Sequence, residues 1–149
     1  MHHVLEEYIA GNKHVDLTPI GQRAGTMAQI IIDKGLCHVE AVYGIEAVMH
    51  YPGLYAGSAD LVGIHKGEDA IMDFKQTNKP KQEAWIGDYF LQLAAYGMAH
   101  DHVYGTKINK GVIMMCSVDN YYQEFIVEGE KFRYYKHEFL RRLDQYHGR

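Results

Sequence analysis

Between Gly57 and Tyr96 the chain puts an aspartate on one short apolar strand, a second aspartate and a lysine on the next, and a helix soon after. The segments read GSAD (57–60), IMDFK (71–75) and YFLQLAAYG (89–97). Side chains two apart on a strand share a face. Asp73 and Lys75 therefore emerge together, beside Asp60 if the two strands pair. Two carboxylates and an ammonium at one place make a divalent-metal site with a built-in cation. That is the equipment for hydrolysing a phosphodiester.

Periodicity and turn residues organise the rest. Residues 2–9 have helical spacing, with Val4, Leu5, Tyr8 and Ile9 on one side and Gly11-Asn12 as the stop. Asp16 or Thr18 can cap a second helix, with Pro19 near its first turn, that runs to Lys34 and ends at Gly35. Strands are predicted over 38–50, with Gly44 as a bulge, over 54–65 and over 69–75, separated by turns at 51–53 and 66–68. A polar loop, QTNKP, leads to a long helix from Gln82 to His102. Strands over 108–117 and 121–127 form a hairpin around Asp119-Asn120, and 130–146 is a closing helix. The order ααβββαββα predicts an α/β (α+β) fold, a mixed central sheet with helices packed against it, as a single domain over residues 1–149. No repeat, low-complexity stretch or linker interrupts it.

Composition narrows the function classes. An apolar content of 47% and an aromatic content of 12% in 149 residues support a folded core rather than disorder. The net charge of −4 excludes a broad basic face, so any nucleic-acid contact must be local or metal-assisted. Cys37 and Cys116 are far apart in sequence and form no CxxC pair, which argues against a disulfide scaffold or a zinc finger. No run approaches the roughly 18 apolar residues of a membrane span, and no signal peptide is recognisable. A reducing, cytoplasmic setting is expected. The opening MHHVLEEYIAG enters an amphipathic helix with no capping residue, which reads as a start lacking an upstream segment.

Each candidate site residue has a functional and an ordinary reading. Magnesium favours oxygen ligands and keeps several waters. Asp60, Asp73 and the Phe74 carbonyl would leave room for water and a phosphate oxygen, with the Phe74 side chain on the opposite face. Lys75 can orient or deprotonate the attacking water and offset transition-state charge; the ordinary reading is a salt bridge at a strand end. Gln92 and Tyr96, four apart, share a helix face and can hold a phosphate or a base edge, or simply lie on a half-buried surface. His2 and Glu6 are also four apart; His2 is either a further metal ligand or part of a solvated helix. Glu46 offers its carboxylate either to a metal's outer ligands or to solvent. Lys79 and Lys81 flank Pro80 near Trp85, a pairing of cations and π-surface that suits single-stranded nucleic acid, or else a solvated loop. The ten histidines show no HExxH or paired spacing and are expected mostly at the surface. The 12 tyrosines fit either a core or base-stacking platforms.

Taken together, GSAD, IMDFKQTNKPK and YFLQLAAY resemble the PD-(D/E)XK nucleases, in their RecB-like branch. Within it the likeness is greatest to mitochondrial genome maintenance and phage exonucleases, and it covers residues 1 to about 105. HHVLE resembles the branch's N-terminal histidine helix, and GIEAVMH its strand glutamate. The resemblance implies a restriction-endonuclease-like core of αβββαβ order. It implies a Mg2+ or Mn2+ site at Asp60, Asp73 and the Phe74 carbonyl, with His2 as a further ligand and Glu46 nearby. It makes Lys75 the catalytic lysine and Gln92 and Tyr96 the supporting helix motif. It further implies a single-stranded DNA exonuclease of replication, recombination or repair, in contact with proteins of those processes. Gln76 stands where the branch commonly has threonine, and no four-cysteine set is present for an iron–sulfur cluster. A non-catalytic single-stranded DNA-binding module and an endonuclease on the same fold are the alternatives.

Overall fold

The computed structural model describes residues 5, 8–10, 19–51 and 55–146. Leu5, Tyr8 and Ile9 are helical, as the amphipathic opening predicts. Helix α1 spans Pro19–Lys34, and Gly35 ends it with its N–H on the Ile31 carbonyl at 2.8 Å. Strands β1 (Val39–Tyr51), β2 (Tyr55–His65) and β3 (Glu68–Thr77) form an antiparallel meander. Its second turn is tight because Lys66 and Gly67 both take positive φ, 48° and 82°, the backbone that suits the twist of a two-residue hairpin. The pairing of β1 with β2 is irregular between Val42 and Gly44, where the bulge was expected.

Strand β4 (Lys110–Ser117) pairs with β3 in parallel, so the chain must cross over between them, and helix α2 (Gly87–Tyr104) makes that crossing. Strand β5 (Tyr122–Glu128) returns antiparallel, and α3 (Glu130–Tyr146) closes the chain. The sheet is mixed, in the order β1-β2-β3-β4-β5.

Neighbouring strand residues divide between two apolar layers. Val62, Ile71, Ile113, Met115 and Val127 pack with Phe90, Leu93 and Phe132 on the α2–α3 side. Leu61, Met72, Phe74, Val112 and Met114 pack with Met27 and Ile31 of α1, and with Leu5, on the other. Strand β4 is buried throughout, which is why KGVIMMCS reads as a nearly continuous apolar run rather than an alternating one.

The boundaries differ from expectation where tertiary contacts take over. The crossing helix begins at Gly87 rather than Gln82. Lys81 is held extended by the Gln123 amide, which accepts from its N–H at 2.8 Å and donates to its carbonyl at 2.7 Å, and Glu83–Trp85 makes a single 3-10 turn. That helix runs on to Tyr104, where Gly105 (φ 70°) supplies the left-handed cap. Strand β4 starts at Lys110 rather than 108 because the Ile108 N–H is taken by the Asp101 carboxylate at 2.8 Å. Two of the ten histidines are buried: His65 lies 3.5 Å from Glu124, and His100 bonds Thr106 at 2.8 Å. Cys37 and Cys116 are both free thiols. Among the described residues no helix is long and apolar enough to cross a membrane.

At Gly63 the β1 backbone comes close against β2. A Cβ there would fall on the Ala41 carbonyl oxygen, which belongs to backbone and cannot swing aside. Gly63→Ala should therefore destabilise the fold by about 1–3 kcal/mol or more, read by chemical denaturation. Wild-type stability would mean that β1 moves freely relative to β2.

Candidate active site

Asp60 and Asp73 face one another where β2 and β3 part. Regular pairing ends at Leu61–Met72, and one step beyond come the two aspartates. Each carboxylate then bonds the opposite strand's backbone. The Asp60 N–H donates to Asp73 Oδ1 at 3.2 Å, and the Phe74 N–H donates to Asp60 Oδ2 at 2.9 Å. Asp73 and Lys75 share the α2 side of the sheet with Ile71, while Phe74 is buried with α1 on the other. A strand residue turns its N–H and C=O toward the same neighbour, so the Phe74 carbonyl is directed toward β2 as well.

Lys75 Nζ lies 3.6 Å from Asp73 Oδ2 and 4.7 Å from the centre of the Tyr89 ring. The ammonium is thus held between a carboxylate and a π-face. It remains 26% exposed, so solvent and ligands can reach it. Asp73 is buried, and that burial first, then the neighbouring Asp60 charge, pushes its pKa up to about 6. Lys75 pulls in the opposite direction without prevailing.

The remaining candidates fall at different distances from this centre. Gln92 Nε2 donates to the Tyr96 hydroxyl at 2.9 Å, one turn apart on α2. Tyr89 lies one turn before Gln92 on the same helix and covers Lys75. Sequence reasoning missed Tyr89, although its spacing of three from Gln92 and seven from Tyr96 put it on their face. Lys79 and Lys81 line a cavity of about 610 Å³ together with Tyr89 and the loop after β3. In that loop the Thr77 hydroxyl donates to the Lys79 carbonyl at 2.8 Å. Trp85 is exposed in the 3-10 turn and does not line this cavity. Glu46 sits on β1 between Ile45 and Ala47, whose partners Leu61 and Ala59 bracket Asp60. His2 lies outside the described residues.

Among the described residues no three His, Cys, Asp or Glu side chains gather as a complete metal-ligand group. The donors that do meet are the Asp60 and Asp73 carboxylates, and the backbone direction alone turns the Phe74 carbonyl to the same side of β3. All are hard oxygens, a set that fits Mg2+ or Mn2+ and does not suit zinc. Two adjacent carboxylates, one of them dehydrated, also favour a divalent cation over two negative charges side by side.

No family model matches the chain. Over 90 residues it is 32% identical to mitochondrial genome maintenance exonuclease 1 of Xenopus tropicalis, a match that covers 56% of this chain and 25% of that protein. The fold matches the crystal structure of a candidate exonuclease from Eubacterium rectale, with a TM-score of 0.64, 13% identity, and coverage of 96% of this chain and 62% of that one. The chain resembles exonucleases in both sequence and fold. It spans a quarter of the length of the curated relative and under two thirds of the structural one. The fold expected from the PD-(D/E)XK likeness, a mixed sheet flanked by helices, is the fold observed.

The raised pKa of Asp73 makes stability depend on pH. Its folded value, about 6, lies above the unfolded value of 3.8, so the folded state holds the proton more tightly. Stability from this group is fully present below the unfolded value and is lost as pH rises through the folded one. In chelator, Asp73→Asn should therefore match wild type at low pH and exceed it by on the order of 3 kcal/mol above neutrality. Melting curves of the two proteins across this range provide the test. A difference in melting temperature that does not grow with pH would remove the buried-carboxylate account.

Proposed function

We propose that this domain is a metal-dependent deoxyribonuclease, an exonuclease that hydrolyses phosphodiester bonds of single-stranded DNA in replication, recombination or repair, beside proteins of those processes. The observation that carries the reading is the meeting of Asp60 and Asp73 at the parting of β2 and β3, with Lys75 3.6 Å from Asp73. The named relative and the shared nuclease-type fold support the class of chemistry. Asp60, Asp73 and the Phe74 carbonyl would hold Mg2+ or Mn2+, with His2 and Glu46 as further candidates. Bound there, the cation supplies Lewis acidity to a phosphate oxygen and lowers the pKa of its water.

The chain's own groups do the rest. Asp60 and Asp73, anchored by main-chain N–H groups, present fixed oxygens rather than mobile ones. Lys75 Nζ, kept in place by Asp73 and the Tyr89 ring, orients the attacking water and offsets negative charge as the oxygen joins phosphorus and the ester oxygen departs. Gln92 and Tyr96, bonded to one another, present an amide and a phenol to the substrate. Lys79 and Lys81 supply local cations in a chain whose net charge is −4, and Trp85 adds an exposed π-surface beyond them. Binding that rests on so few cations should be modest and should weaken with salt, with a shallow slope set by the small number of phosphates they neutralise.

The deciding assay is digestion of end-labelled single-stranded and blunt duplex DNA, linear and circular, with magnesium, manganese or chelator. An exonuclease shortens linear single strands from an end in either metal and leaves circles intact. Cleavage of circles would assign an endonuclease, and binding without cleavage a non-catalytic module.

Asp73→Asn should abolish cleavage and keep the fold. Lys75→Ala should retain cation binding by calorimetry while losing on the order of 100-fold in rate. If affinity and rate fell together and recovered together at high metal, the lysine would belong to ion binding instead. Protons and the cation compete for Asp73, so magnesium or manganese should raise the melting temperature more at about pH 8 than at about pH 5. An equal shift at both pH values would detach Asp73 from the metal site.

A further inference from the structure

A second cavity lies between α2 and α3, and the hydrolytic groups do not account for it. It measures about 570 Å³, within the size range of small-ligand sites. Leu91, Ala95 and Phe139 form its apolar walls, and Gln92 and Tyr96 add an amide and a phenol. Tyr89 lines both this cleft and the 610 Å³ cavity that holds Lys79 and Lys81. A single aromatic ring therefore stands between the two, with Lys75 beneath it.

Charge divides the two spaces. The residues lining the first cavity include two lysines and no carboxylate, an environment that draws phosphate. At the rim of the second, Arg142 is matched by acids: its Nε is 3.1 Å from Glu138 and its Nη1 is 3.7 Å from Asp88. With those acids at its mouth, the cleft offers no surplus of positive charge to a phosphate. It offers apolar walls, an aromatic face and two hydrogen-bonding groups, which together match a flat heterocycle with polar edges.

We propose that the cleft between α2 and α3 seats an unpaired nucleobase of the substrate strand while the adjoining phosphates run through the Lys79–Lys81 cavity, with Tyr89 as the wall between them. The inference rests on the nucleic-acid reading above and deepens it. It accounts for a requirement for single strands, because a base in a duplex has its faces stacked and its edge paired and can enter only after it is unstacked. It also brings in α3, an element that lies beyond the part of the chain where the nuclease motifs are found.

The test uses the chain carrying Asp73→Asn, which should not turn over, with magnesium and fluorescently labelled strands. Affinity is measured for oligothymidylate and for a strand of equal length and charge made wholly of abasic nucleotides. Oligothymidylate should bind about tenfold tighter or more. Adding Phe139→Ala, which removes an apolar wall of the cleft on the α3 side, should bring oligothymidylate down toward the abasic level and leave abasic binding unchanged. Unchanged abasic binding also reports that the variant is folded. Lys79→Ala with Lys81→Ala should weaken both strands alike. Equal affinity of the two strands, or an equal loss of both in Phe139→Ala, overturns the base-seating inference and leaves the nuclease reading standing. Failure of both strands to bind removes the nucleic-acid reading and this inference with it.

Discussion

Beyond Leu61 and Met72 the paired strands β2 and β3 part, and the side chains of Asp60 and Asp73 take over the hydrogen bonding that the ladder had supplied. This one substitution of side chain for backbone determines most of the site. It keeps main-chain groups satisfied where the sheet opens. It also ties one oxygen of each carboxylate to the opposite strand, bringing two negative groups together at a partly buried point. The raised pKa of Asp73 is the electrostatic signature of that arrangement: burial and a like charge both oppose ionisation. Lys75 offsets it only in part.

The rest of the architecture supplies what the two aspartates need. Because β3 and β4 run parallel, the chain is obliged to cross the sheet, and α2 does so over the face that carries Asp73 and Lys75. That places Tyr89 against the lysine and lines up Gln92 and Tyr96 behind it. Helix α3 then packs on α2, with Gly97 close enough to Phe132 that a Cβ would sit 3.2 Å from its ring. The same packing leaves a cleft between the two helices near the site, and Tyr89 lines both that cleft and the lysine-lined cavity.

The meander, the crossing helix, the final hairpin and the closing helix were all legible from apolar runs or periodicity bounded by glycine or polar turns, although β4 and the crossing helix are buried too widely to show a one-sided period. The same-face placement of Asp73 and Lys75, with Phe74 opposite, followed from strand alternation alone. The helix start at Gly87 was not legible, since Lys81 is held by Gln123, 42 residues further along. The burial of His65 and His100 was also hidden, because it depends on elements distant in sequence closing over them. Tyr89 shows the same limit in the site itself: its position on the Gln92–Tyr96 face was readable, but its contact with Lys75 was not.

By itself the sequence determined which elements form and which residues share a face, because those are properties of local spacing and backbone preference. It also contained the chemical inventory of the site, two aspartates, a lysine, an amide and a phenol, at intervals that two strands and a helix can present together. Only the tertiary structure decided that β2 and β3 stop pairing just before the aspartates, that Tyr89 covers the lysine, and that a lysine-lined cavity and an apolar cleft lie on either side of it. These features arise between segments far apart in the chain. They are set by twist, packing and the sharing of hydrogen bonds across strands, none of which has a period in the sequence.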